Sequence, residues 1–274
     1  NNTEGFNRAP VSGAFKVGRS RGVSIKDSAF IENTGQGPWF DESVYDITFT
    51  GNDVIGNTGN GVVLELSERA VIADNVVADN ALSGIFIIDT GNVSIWNNTA
   101  VNNARNINIT QDKRRASDTS AAGHDPRQPL PDPTVPWITR NTVISNNVVS
   151  GGTGNCMVCV EDSSRMFTGD KLVATTNGNL YQRPNASSPK WFGVWSRGTI
   201  VNPSVFNTLT EFSASTGQER ASLLVEGSAI VTPRFQLDPA YNGSQSSIAQ
   251  SVPSAVAQVS HLNAGTKLLG AQPR

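Results

Sequence analysis

Two carboxylates, Asp41 and Glu65, stand 24 residues apart in a chain that repeats itself, and Trp39 lies two residues before the first of them. If successive repeats stack as parallel strands, equivalent side chains face the same way at ~4.8 Å. Like charges held that close push one pKa up, which provides an acid and a base at neutral pH. A carboxyl separation near ~5 Å is that of a retaining glycosidase, whereas an inverting pair leaves room for a water. Asp41 and Glu65 are therefore the first candidates for catalysis. Trp39 and Phe86 offer ring faces on which a pyranose can stack, and neighbouring acids can bind its hydroxyls or transfer protons. The plainer alternative is a solvated acidic edge.

The same outward row runs Lys16, Trp39, Val63, Phe86, Asn108, and two residues further come Gly18, Asp41, Glu65, Ile88, Thr110. Lys16, Trp39, Phe86 and Asn108 are candidate substrate contacts. Beyond the row, residues 111–115 read QDKRR, from which Gln111 and Arg114 are candidate clamps and Asp112 a further acid. His124 titrates in the range that general acid–base chemistry needs, although a lone loop histidine can equally be a bystander. Asp89, Glu161 and Asp162 fall at strand ends, where they either line the same groove or terminate strands.

What must position these residues is a repeat. Asn52, Asn75 and Asn98 recur at a spacing of 23, and Asn33, Asn57, Asn80 and Asn103 at 24, 23 and 23. Gly37, Gly61 and Gly84 open successive units, with Asn106 in that place next. Self-similarity at this period marks a solenoid. Each unit shows two short β-branched runs divided by Asn/Gly turns. Asparagine tolerates the left-handed turn conformation, and its amide can bond the same amide one coil away. A β-sandwich has similar turn signals but gives no reason for one turn at one fixed period. Alternation then assigns Phe15/Val17, Pro38/Phe40, Val62/Leu64, Ile85/Ile87 and Ile107/Ile109 to the interior. In the second runs it assigns Val23/Ile25, Ile47/Phe49, Ala70/Ile72 and Val93/Ile95.

On these turns and runs, over roughly residues 10 to 165, the chain resembles the right-handed parallel β-helix repeat proteins of the pectate-lyase-like superfamily. The fold class expected is all-β, a right-handed parallel β-helix with a short mixed C-terminal cap. The resemblance implies a secreted, extracellular or cell-envelope protein directed at a polysaccharide. Glycosidic-bond hydrolysis through Asp41 and Glu65 is the leading activity. A uronate lyase or epimerase is the alternative, in which Lys16, Arg19 or Arg21 takes a proton and Ca²⁺ is held by acids. A non-catalytic glycan-binding or surface-structural β-helix belongs to another class. No DxD or other dense acidic cluster supports a dedicated calcium cage, so no cofactor is otherwise expected.

Net charge is −2, with no basic excess to suit nucleic acid, and no apolar run approaches the ~20 residues of a membrane span. Association between chains leaves no signal. No signal peptide is expected in the opening residues, and NNTEGF reads as a turn of a coil already under way, as in an excised or processed piece. Cys156 and Cys159 lie in a β run, NCMVCV, where residues three apart face oppositely and lie too far apart to bond, so two free thiols are expected.

The organisation expected is β-helix coils over residues 1–165, broken by a proline- and charge-rich insertion at 113–136 that leaves at the Asp41/Glu65 end and folds over that face. Final strands, short helices and a cap over the open sheet edges then occupy 166–274. Trp191 and Trp195 are assigned to the cap core.

Overall fold

A computed structural model of the chain describes residues 13–273; the lead-in at 1–12 and the terminal arginine lie outside them. The repeats wind into a parallel β-helix with three sheets of eight, six and seven strands, and the pairings of named strands are parallel except for Trp191–Trp195 with Ser204–Phe206. Crossovers between parallel strands of one sheet are right-handed, which fixes the hand of the coil. Each early coil contributes three strands rather than two. In the second coil these are Gln36–Asp41, Tyr45–Thr50 and Asp53–Ile55. The third strand is short and sits between two asparagine turns, so in the sequence it reads as part of the turn.

The interior follows the alternation. Phe15 lies beside Pro38 and Val17 beside Phe40 in the first sheet. In the second, Ile47 lies beside Ala70 and Phe49 beside Ile72. With Val54, Val77, Val149 and Tyr181 of the third sheet they form one continuous core.

Both asparagine series are buried ladders. Asn75 donates its backbone N–H and its Nδ2 to Asn98 Oδ1 at 3.1 and 2.9 Å, and Nδ2 also to Phe49 O at 2.9 Å. Its own Oδ1 receives the same pair of bonds from Asn52 at 2.8 and 3.0 Å. The series runs on through Asn147 to Asn179 and ends on Glu219, whose carboxylate accepts from Thr176, Asn179, Tyr181 and Ser222. The second ladder, Asn33 to Asn103, ends on Asn106, which passes its amide to Gly151 O at 3.0 Å. Interior amides are tolerated because every rung has a partner.

The solenoid continues past residue 165 with Val173–Asn177, Leu180–Arg183, Trp191–Trp195 and Leu223–Glu226. The helix Leu209–Thr216 begins at a capping box between Thr208 and Glu211 and ends at Gly217 in the left-handed region, φ 75°. Its Phe212 packs on Phe192, Trp195 and Phe206 and closes that end. After Glu226 the chain departs from the expected cap and doubles back along the outside of the helix. Val252, Val256 and Leu262 pack on Ala73 and Trp96, and His261 reaches Asp27 of the first coil at 2.7 Å. The C-terminal region is therefore a cap followed by a strap.

Two further expectations are corrected. Cys156 and Cys159 form a disulfide with Cα atoms 5.7 Å apart, far less than three residues of extended strand would span, so the backbone bends between them. The bend turns both sulfurs to one side, against Trp191 and Val194. Beyond Arg114, which reaches Glu65, the insertion also does not lie over the first-strand face. It packs along the corner between the first and second sheets, where Trp137, Val135 and Ala116 bury against Leu66. Trp137 Nε1 donates to Ser43 Oγ at 3.1 Å, and Ser43 Oγ donates to Gly123 O at 2.9 Å. Asp132 pairs with Arg21 of the first coil. Leu66 and Tyr45 supply apolar surface at this corner, against which the insertion buries its own.

Candidate functional site

The outer face of the first sheet carries the predicted rows in register. Lys16 lies beside Trp39 and Gly18 beside Asp41. Trp39 lies beside Val63, then Val63 beside Phe86 and Phe86 beside Asn108. Glu65 follows Leu64, the partner of Phe40, so it stands next to Asp41. Six of the ten predicted site residues meet around this point: Lys16, Trp39, Asp41, Glu65, Asp112 and Arg114.

Their contacts are specific. Lys16 Nζ is 2.7 Å from Asp41 Oδ2 and sits 4.0 Å from the centre of the Trp39 ring. Trp39 Nε1 donates to Glu65 Oε2 at 3.0 Å. Arg114 Nη1 donates to the other oxygen, Oε1, at 2.5 Å. The same guanidinium places Nε 2.8 Å from Asp112 Oδ2 and Nη2 3.1 Å from Asp89 Oδ2. Burial, and next the Asp41 carboxylate, push the Glu65 pKa up by more than Arg114 and Trp39 pull it down.

Asp89, expected at a strand end either to line the groove or to terminate the strand, does neither simply. It lies one position beyond the strand Ser83–Ile88, at φ 51°, and the turn folds its side chain inward rather than out of the sheet. It is fully buried, and its Oδ1 accepts from Gln111 Nε2 and from the Asp112 backbone N–H at 2.8 Å. Burial, then the Asp112 carboxyl, push it up to about 8. Burial acts on Asp112 in the same direction, but the Asp89 carboxyl and the Arg114 donors outweigh it and hold Asp112 below its ordinary value. The signal that could have fixed its role is an acid at a left-handed turn one coil after Glu65.

The remaining candidates stand apart from this point. Gln111 is buried, with its amide on Asp89 and its oxygen accepting the Thr139 N–H at 2.6 Å, so it holds the turn rather than a ligand. Asn108 is bound by Ser83 and Arg105 further along the face. Phe86 is half-buried beside Val63, which the two neighbouring aromatic side chains cover. His124 stacks on Trp137 with ring centres 4.4 Å apart, at the corner and outside the groove. Arg105, unforeseen, pairs with Glu161 on the same face.

Comparison with known proteins adds one finding. Residues 2–117 match a family model described as periplasmic copper-binding protein (NosD). The match covers the first coils and agrees with the β-helix and with the secreted or cell-envelope location expected above; it does not reach the pectate-lyase-like superfamily. No curated protein and no solved structure matches the chain. The donor set does not fit copper. Among the described residues no three His, Cys, Asp or Glu side chains group as metal ligands, and both cysteines are committed to the disulfide. The two histidines sit at opposite attachments, His124 on Trp137 and His261 on Asp27. The calcium of the lyase alternative finds no such group either. No helix among the described residues is long and apolar enough to cross a membrane.

Proposed function

We propose that this secreted or cell-envelope β-helix engages a polysaccharide along the outer face of its first sheet and cleaves glycosidic bonds there. Glu65 is the proton donor, and Asp41, held by Lys16, is the nucleophile or base on the neighbouring coil. The observation that carries the reading is the raised Glu65 carboxyl, bonded by the Trp39 indole, beside an Asp41 ion-paired with Lys16. Trp39 supplies the stacking platform, with Phe86 further along the row. The uronate lyase alternative is weaker, because Lys16 is ion-paired with Asp41 and a base must be free to accept a proton.

A second reading, glycan binding without cleavage, is favoured by one observation: Asp41 and Glu65 both already face a cation. The experiment that separates the two is product analysis on a polysaccharide panel with the parent and Glu65→Gln. Hydrolysis predicts new reducing ends and a loss of at least ~10²-fold in turnover in the variant. Binding with no new ends in the parent supports the second reading. An unsaturated, ultraviolet-absorbing product would install the lyase instead.

A further inference from the structure

Beneath the groove, three carboxyl groups surround one guanidinium. Arg114 offers Nη1 to Glu65, Nη2 to Asp89 and Nε to Asp112, so each nitrogen serves a different acid. Fully ionised, the four groups would carry two uncompensated negative charges around a carboxyl with no exposure to solvent. Asp89 Oδ1 already accepts two N–H donors. Its Oδ2 is buried without a hydrogen bond, although Nη2 lies nearby, and the Asp112 carboxyl sits on the Nε of the same guanidinium. An orphaned acceptor beside a second carboxylate is where a shared proton lowers the free energy.

We propose that Asp89 and Asp112 hold one proton between them, on Asp89 Oδ2, and that through Arg114 this proton sets how firmly the groove's Glu65 is gripped. Asp89 touches nothing in the groove and acts as a positioning residue. With the proton in place, Asp89 is a neutral donor to Asp112, and Arg114 divides its charge between Asp112 and Glu65. When the proton leaves to solvent, Asp89 becomes a full competitor for the guanidinium. Glu65 then loses part of its counter-charge, and its proton affinity rises. The upward shift of Asp89 and the downward shift of Asp112 agree with this division.

The charged groups around the pair can be named. Glu65, with Asp41 and Lys16 behind it, faces from the earlier coils. The insertion brings Arg114, together with Arg115, whose guanidinium is bonded to the backbone oxygens of Asp112 and Arg114. Glu68 and Arg140 pair at the adjoining corner. Gln111, Trp137 and Thr139 close over Asp89 with neutral groups only.

The inference rests on the proposed function only in naming Glu65 as the working carboxyl, and its test needs no glycan. The side-chain carboxyl signals of the full chain, labelled with ¹³C, are followed by NMR from about pH 5 to about pH 10. Asp89 is expected to stay protonated at neutrality and to titrate in the alkaline range, with the Glu65 signal moving in that same step. Asp89→Asn should abolish the step at Glu65. Arg114→Lys, a point charge that cannot serve three acids, should leave Asp89 titrating while uncoupling Glu65. Should Asp89→Asn fail to fold, Asp112→Asn serves in its place, because it removes the sharing partner and must displace the Asp89 step. An Asp89 already ionised at neutrality, or a Glu65 signal indifferent to its titration, overturns the proposal. Absence of glycan turnover with the coupled step intact would remove the proposed function and leave this inference standing.

Discussion

Glu219 and Asp89 are both acids buried in the same solenoid, and the difference between their surroundings separates scaffold from site. Glu219 closes the asparagine ladder and is met by four neutral donors, from Thr176, Asn179, Tyr181 and Ser222. Burial raises its pKa, and those bonds oppose the rise. Asp89 has two N–H donors on one oxygen, and its other oxygen faces a guanidinium shared with a second carboxyl and with the groove. The first arrangement ends a repeat with its hydrogen bonds complete. The second ties a turn of the scaffold, through Arg114, to a charge on the outer face of the first sheet.

That contrast is broken most severely inside the ladder. Asn75→Leu removes bonds to Asn98, Phe49 and Asn52, and leaves buried donors on Asn52 without partners. A loss on the order of 3–5 kcal/mol in denaturant unfolding is expected, since each orphaned buried group costs about 1–3 kcal/mol. An unchanged midpoint would contradict the stacked-turn assignment.

Glu219→Gln is expected to have a smaller effect, about 1–3 kcal/mol, because an amide keeps one acceptor but turns a donor toward four donors. Its pH signature sharpens the comparison. Glu65, Glu68, Asp89 and Glu219 all have folded pKa values above their unfolded ones. Each binds a proton more tightly when folded, so its contribution is complete below the unfolded pKa and is lost as pH rises through the folded value. The melting temperature should therefore decline from about pH 4 towards about pH 8, the upper limit being set by Asp89. Glu219→Gln and Asp89→Asn should each flatten part of that decline. A melting temperature that climbs across this window would place the raised acids wrongly.

How much of this was legible follows the same division. Asn52, Asn75 and Asn98 do the same job at one period, so three occurrences identify ladder and fold together. Asn179 and Glu219 do that job too, but longer connections and a change of residue type hide them from the count. Trp39, Asp41 and Glu65 were readable because outward strand positions alternate. Asp89 was named at a strand end, but its inward direction was not readable, because one left-handed residue after a strand end reverses the direction of a side chain. The cysteines were misjudged by applying that alternation to a backbone that bends. The insertion was misplaced for want of its anchor: Trp137 stands just beyond it and binds it to the corner at Ser43 and Leu66.

The face holding Trp39, Asp41 and Glu65 is the proposed saccharide-binding face. The indole N–H of Trp39 reports on it directly, since Nε1 is hydrogen-bonded to Glu65 Oε2 at 3.0 Å. In ¹⁵N-labelled protein titrated with oligosaccharides from the polysaccharide panel, the Trp39 indole signal should shift with the bound fraction, while that of Trp137, buried at the insertion corner, stays fixed. Trp39→Ala should abolish the binding. A saccharide that binds the chain without moving the Trp39 signal, and binds Trp39→Ala equally well, would contradict the account.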